Sequence, residues 1–340
     1  MSRLSNCSTS PTSYFTSSEF VLQNVFVVTV ITLPFIIYGF YCILKVTPKH
    51  LIGTKWVLLN IHIWTTVVVI IMNVLSIPFM FFPTISGVML GYGENLGVPP
   101  LVLTYSIQSL LGVFISAGIA LLENRQNLLD TKWKIRETWQ RVFVNFLNCS
   151  VAFMAIIPLY FENVNNEEMI ENVLEVIPCP AIEFFTSRIF FVSRKPLLMT
   201  ILMGIKLFVY SPQVIFYNIH TWYHLVYVQG SKVSSETRKM QYRFFVGSFF
   251  QVSIPVAVIF GPVLYIWFSI NTRYYNQVLN NLVSLVVSFH GLSGTCCMIL
   301  IHGHYRTHFV KMITFGKVDL SKESSAVASL IPSVVRNVGR

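Results

Sequence analysis

The stretch Val98–Leu122, VPPLVLTYSIQSLLGVFISAGIALL, runs directly into Glu123-Asn124-Arg125. From Asn95 through Leu122 the 28 positions carry no Lys, Arg, Asp or Glu. Wound as a helix at ~1.5 Å per residue, such a run is roughly 42 Å long, more than the ~30 Å hydrocarbon core of a bilayer. Charge then returns abruptly with Glu123, Arg125, Asp130, Lys132, Lys134 and Arg136. An uncharged span that stops at an acid-x-Arg and a basic loop reads as a membrane helix reaching the cytoplasmic face. As the third of seven spans, it is the helix around which the others pack.

Composition supports that reading across the whole chain. The 340 residues are 54% hydrophobic and 11% charged, with 28 Phe. A water-soluble domain carries about 25% charged residues, so this chain lacks the polar surface to cover itself in water. The net charge of +10 does not point to nucleic acid, because the basic residues lie in loops between apolar runs rather than on one face.

Met1–Glu19 is a polar, Ser- and Thr-rich segment with Arg3 as its basic residue and no apolar core of its own. It makes a poor signal peptide, so the first span is expected to serve as the insertion signal. Asn6-Cys7-Ser8 fits the N-glycosylation sequon, a short pattern that also arises by chance. Seven apolar spans follow: Phe20–Leu44, Trp56–Phe82 (broken near its outer end by Pro78), Val98–Leu122, Val142–Tyr160, Pro196–His220 with a helical continuation to Val228, Phe244–Ile270 and Val278–Ile301. Each is long enough to cross a bilayer, and helix satisfies every backbone polar group within one segment. Pro34, Pro78, Pro212, Pro255 and Pro262 lie inside these spans, where membrane helices tolerate them as kinks. The loops Lys45–Lys55, Glu123–Arg141, Gln229–Arg243 and the tail from His302 hold 18 of the 24 Lys and Arg. The positive-inside rule therefore predicts a cytoplasmic tail and an external N-terminus. The fold class expected is an all-α membrane protein: residues 1–19 form an extracellular segment, 20–303 a seven-transmembrane bundle, and 304–340 a cytoplasmic tail. That tail opens with an amphipathic helix, His304–Phe315, suited to the membrane interface.

Few residues in the spans carry chemistry. The six cysteines have no metal-ligand spacing near histidines, so no metal site and no cofactor is expected. Only Cys7 and Cys179 fall on the oxidising side; they either pair or remain two free thiols. Glu123-Asn124-Arg125 is similar to the acid-Arg lock at the inner end of the third helix of rhodopsin-like receptors, in which the Arg pairs with the acid at rest. The competing reading is an ordinary charged helix end. Lys206, about ten residues into the fifth span, faces either a cavity or, by snorkelling, the interface. His290 in the seventh span reads best as a hydrogen-bonded neutral core residue. No span holds an acid, so the proton or sodium relay of a secondary transporter is missing. No nucleophile–base pair or phosphate loop is present in the sequence, which disfavours an enzyme.

A series of short landmarks runs in order along the chain. They include Ser13-Tyr14-Phe15, Ser18-Glu19-Phe20, Lys45-Val46-Thr47-Pro48-Lys49-His50, Lys55-Trp56-Val57-Leu58-Leu59-Asn60 and Ser76-Ile77-Pro78-Phe79. Leu122-Glu123-Asn124-Arg125, Pro178-Cys179-Pro180, Gln251-Val252-Ser253-Ile254-Pro255, Tyr274-Tyr275-Asn276-Gln277, Asn280-Asn281 and His290-Gly291 continue the series. With these the chain resembles the nematode serpentine receptor class H, a family of seven-helix chemoreceptors, over about Ser13–Arg306. One departure is His302-Gly303-His304-Tyr305-Arg306, where the family carries a His-Lys-Pro-Tyr-Arg pattern.

The resemblance implies a receptor for a small molecule that activates a heterotrimeric G protein from the plasma membrane of sensory neurons or their cilia. A transporter, a channel subunit and a non-signalling receptor-like protein are the alternatives. The ligand pocket is expected among the outer halves of the third, fifth, sixth and seventh spans, lined by Tyr105, Gln108, Lys206, Tyr265 and Asn281, with Lys206 favouring an anion. The G-protein face is expected at Arg125, Arg238 and Lys239, with Glu123 as the resting partner of Arg125 and Pro255 as the kink that amplifies movement of the sixth span. Cys7–Cys179 would tie the N-terminal segment over the second outer loop, and Asn6 would carry glycan. The charge bias makes the topology testable: an epitope tag ahead of Asn6 should bind antibody on intact cells. Labelling seen only after permeabilisation would reverse the assignment.

Overall fold

The computed structural model describes residues 13–48, 52–129, 131–161, 165–228 and 234–316. Asn6 and Cys7 lie outside the described residues, as do the side chains of Arg238 and Lys239. The described chain is mostly helical, and seven of its helices are long and apolar enough to cross a membrane. They are α1 (Ser18–Val46), α2 (Ile52–Ser76), α3 (Pro100–Asn127), α4 (Thr138–Tyr160), α6 (Pro196–Val228), α7 (Ser235–Thr272) and α8 (Gln277–Ile301). Two shorter helices are α5 (Asn166–Val176) in the loop after α4, and α9 (Gly303–Ile313) after the last span. Their starts follow local chemistry. Ser17, Asn165, Ser234 and Asn276 each accept a hydrogen bond from a backbone N–H in the first turn of α1, α5, α7 and α8, satisfying donors that the helix itself leaves unpaired.

Helix α3 is the most enclosed span, with 61% of its apolar window buried, against 22% for α4 and 17% for α6. It packs on α2, α4, α6 and α7. Where it meets α4 the backbones come close: a Cβ on Gly112 would lie 2.7 Å from Ala152 Cβ. A small residue at this crossing is what lets two apolar helices gain dispersion contact when lipid offers no hydrophobic drive.

The apolar run Trp56–Phe82, expected as one span, is divided. Helix α2 ends at Ser76, Ile77 takes a left-handed backbone with φ 41°, and Pro78 opens a strand. The bundle is therefore not purely α. Strands β1 (Pro78–Met80), β2 (Ile85–Met89) and β3 (Phe190–Ser193) form an antiparallel sheet in that order, pairing Phe79 with Val88 and Gly87 with Phe190. Every residue of β2 and β3 is buried. Gly87 permits this packing, since a Cβ there would sit 2.7 Å from the Phe79 carbonyl oxygen. Phe79, Phe81 and Val88 share a core with Phe20 and Val21 of α1 and with Met169 and Val173 of α5. The sheet thus closes one end of the bundle, called here the sheet end; the C-terminal ends of α1, α3 and α6 and the helix α9 lie at the other, the basic end.

The last span holds the sheet in place. Gln277, Asn280, Asn281 and Ser284 recur at the three- and four-residue spacing of one helix face. The Gln277 amide donates to Met80 O (3.2 Å), the Asn280 amide to Phe82 O (3.0 Å) and the Ser284 hydroxyl to Pro78 O (2.7 Å). The Asn281 amide reaches past the sheet to Phe15 O (2.9 Å) ahead of α1. The strand backbone keeps free carbonyls on this side, and the polar stripe of α8 supplies their donors. Asn280 is 0% exposed and also accepts from the Tyr265 hydroxyl at 2.9 Å. Replacing it with Leu removes both bonds and leaves the buried Phe82 carbonyl without this donor, which costs about 1–3 kcal/mol. Asn280→Leu should lower the thermal midpoint of the detergent-solubilised protein; an unchanged midpoint would mean that the stripe does not hold the sheet.

Candidate functional site

The basic end of α3 carries the most enclosed charge described. Arg125 is 4% exposed. Its Nε donates to Ser248 Oγ of α7 at 2.7 Å, and its Nη1 donates to Thr54 Oγ1 of α2 at 3.1 Å. The guanidinium lies 5.4 Å from the centre of the Phe244 ring of α7, within cation–π range. Nη2 has no hydrogen-bond partner among the described residues. One side chain therefore joins α2, α3 and α7, and it retains an unused donor.

Glu123 does not pair with Arg125, which corrects the expected lock. Residues two apart on a helix point to different sides. Glu123 instead faces the start of α4, where Arg141 grips its carboxylate with Nε at 2.9 and 3.0 Å and Nη2 at 2.8 Å. This bidentate pair is among the strongest side-chain contacts available, and it fastens α3 to α4 rather than restraining the arginine. Thr54, Ser248 and Arg141 were not singled out from the sequence. Hydroxyl residues near the ends of apolar spans are common, so their pairing emerges only from the packing.

Around Arg125 the last span turns into α9. His302 is buried, with Nε2 3.0 Å from Gln251 Oε1 of α7. Burial, with the nearby charge of Arg125 and then of His304, pushes its pKa down to about 3, so the imidazole is neutral at physiological pH. Burial likewise raises the Tyr305 hydroxyl, which hydrogen-bonds Thr47, just past the end of α1, at 2.7 Å. Arg125 is thus the charged group of a site otherwise built from neutral donors and acceptors.

Above this site, toward the sheet end, a cavity of about 10 Å³ lies among His62, Thr65, Phe114, Gln251, Pro255 and Gly294. That is room for a single water molecule, far below the ~300 Å³ or more of a small-molecule pocket. Pro255, read as the kink of the sixth span, lines this cavity and packs against α8, where a Cβ on Gly294 would come within 3.1 Å of its ring.

The five expected ligand-pocket residues fall into two groups. Tyr105, Gln108 and Lys206 lie together where α3, α4 and α6 meet: Lys206 Nζ donates to Gln108 O at 3.1 Å, and the Tyr105 hydroxyl donates to Phe153 O of α4 at 3.2 Å. Tyr265 and Asn281 sit apart, at the α7–α8 side beneath the sheet, and their polar atoms serve Asn280 and the segment before α1. His290 is 0% exposed, with Nδ1 2.8 Å from Val287 O, as the sequence suggested. Cys179 is disulfide-bonded and Cys42, Cys149, Cys296 and Cys297 are free thiols; Cys7, the expected partner of Cys179, lies outside the described residues.

A bundle of seven membrane-length helices with a polar site at one end defines a multi-pass membrane protein of the serpentine type. Residues 16–315 match the family model described as the serpentine type 7TM GPCR chemoreceptor Srh, and the chain belongs to that family. It is also 30% identical over 312 residues to the serpentine receptor class H-72 of Caenorhabditis elegans, covering 90% of this chain and 88% of the relative. No solved structure matches.

The exchange of partners at the end of α3 can be measured. In double-mutant cycles read by thermal unfolding, Arg141→Gln should cost of order 2 kcal/mol, part of which the Glu123→Gln/Arg141→Gln pair recovers. Glu123→Gln and Arg125→Lys should combine additively. Coupling between Glu123 and Arg125 as large as that between Glu123 and Arg141 would restore the original lock.

Proposed function

We propose that the chain is a chemosensory receptor which binds a small molecule toward the sheet end and activates a heterotrimeric G protein at the basic end. Membership of the chemoreceptor family supplies the class. The observation that carries the coupling half is the burial of Arg125 between α2 and α7, with one guanidinium nitrogen unused. A resting site that joins α2, α3 and α7 at the basic end is opened by parting α7 from α2 and α3. That movement frees the guanidinium for a partner's carbonyls, and Pro255 in α7 gives the helix a point about which to bend. Arg238 and Lys239, in the first turns of α7, add two basic residues to that end of the helix.

On this reading the N-terminus is extracellular, the basic end is cytoplasmic, and the protein works in the plasma membrane, including the ciliary membrane of sensory neurons. It is not an enzyme. The few ionisable groups within its spans are committed to packing or, at Lys206, to ligand recognition.

In cells expressing the receptor, an odorant panel should yield at least one compound that raises guanine-nucleotide exchange. Arg125→Ala should reach the surface and bind that compound as before, yet lose at least about tenfold of the evoked exchange. Wild-type exchange in Arg125→Ala would remove this arginine from the output mechanism.

A further inference from the structure

The geometry points to Lys206 as an anion site, where α3, α4 and α6 meet, that is reached sideways from the bilayer and takes a carboxylate-bearing amphiphile. This rests on the proposed small-molecule receptor function and adds the chemistry and the route of the ligand. Three observations carry it.

The first is an unmatched cation. Lys206 lies ten residues into α6, about 15 Å from its start, and so near the middle of a ~30 Å hydrocarbon core. The ion pairs among the described residues are Arg141–Glu123 and Arg194–Glu168, and neither includes Lys206. Its Nζ is turned onto Gln108 O (3.1 Å) and has not risen toward the headgroups. An ammonium has three donors, and this one uses a single described acceptor. Ionisable groups at that depth pair with one another, with backbone carbonyls or with groups in a cavity; the spans around Lys206 hold no acid there, so its remaining donors are open to an external anion.

The second is the setting. The neighbouring residues Ile201, Ile205, Leu207 and Phe208 are 51%, 45%, 49% and 79% exposed, so the flank of α6 beside Lys206 faces lipid. Tyr105 shares the α3 face of Gln108, three residues away, and stands edge-on to Tyr160 at 5.3 Å. The Tyr160 hydroxyl is buried without a hydrogen-bond partner among the described residues, and its ring packs against the apolar cluster that includes Leu202, one turn from Lys206. An ammonium and an unused hydroxyl beside an apolar wall suit a carboxylate head with a hydrocarbon chain.

The third is the closed alternative. At the sheet end β2 and β3 are wholly buried and β1 is tied to α8 by Gln277, Asn280 and Ser284. A ligand that partitions into the bilayer first avoids that cap.

The test uses full-length receptor in phosphatidylcholine nanodiscs, without G protein, and a diazirine-bearing dodecanoic acid as probe. Labelled peptides should map to 153–160 and 198–208. Unlabelled dodecanoate should compete about tenfold better than dodecanol. Lys206→Met should abolish that preference, Lys206→Arg should keep it, and Tyr160→Phe should weaken labelling severalfold. The proposal is overturned if Lys206→Met retains the preference, if labels fall on the sheet, if acetate competes as well as dodecanoate, or if phosphatidate displaces the probe equally well. Because no G protein is present, these outcomes are independent of whether Arg125 couples the receptor to one.

Discussion

The arginine at the foot of α3 is the interaction on which the basic end depends. A guanidinium withdrawn from water must be compensated by donors and acceptors placed around it. Here the acceptors are two hydroxyls, Thr54 and Ser248, and the ring face of Phe244. Neutral partners hold such a group less firmly than a carboxylate does. The acid that sequence proximity offers, Glu123, is occupied by Arg141. On the proposed reading, neutral bonds hold the closed arrangement and are exchanged for those of a partner protein, while the ionic bond beside them keeps α3 and α4 together. A switch needs this asymmetry: one contact that yields and a neighbour that does not.

The sheet end follows the opposite design. Its strands are buried, its backbone carbonyls are met by the polar stripe of α8, and α1, α5 and α8 close over it. Strand edges within a membrane protein are admissible only where protein covers them. The cover makes this end a rigid lid on a tightly packed centre, in which the cavity beside Pro255 holds no more than a water molecule.

The sequence was most legible where charge was absent. Long uncharged runs give the number of spans and their limits to within a few residues, because lipid excludes charge and demands helix. The same physics hid the sheet: an apolar run does not separate strand from helix, so Trp56–Phe82 read as one span although Pro78 already marked a break. Polar residues inside spans were visible, but their roles depended on partners distant in the chain. Asn281 read as a ligand contact and is engaged with Phe15. Gln277, Asn280 and Ser284 shared its helical spacing, and that stripe was the available signal for a structural face. Glu123 and Arg125 were read as a pair from nearness in sequence, whereas helical geometry sends them to different neighbours.

The most direct measurement of the central claim is the distance between spin labels at Ile52, at the start of α2, and Met240, near the start of α7, both exposed at the basic end. The account predicts a single narrow distance distribution in the resting receptor. A second, longer population should appear when Arg125 is replaced by Ala or when Thr54 and Ser248 are both replaced by Ala. One unchanged distribution in all three proteins would contradict the claim that this arginine holds the basic end closed.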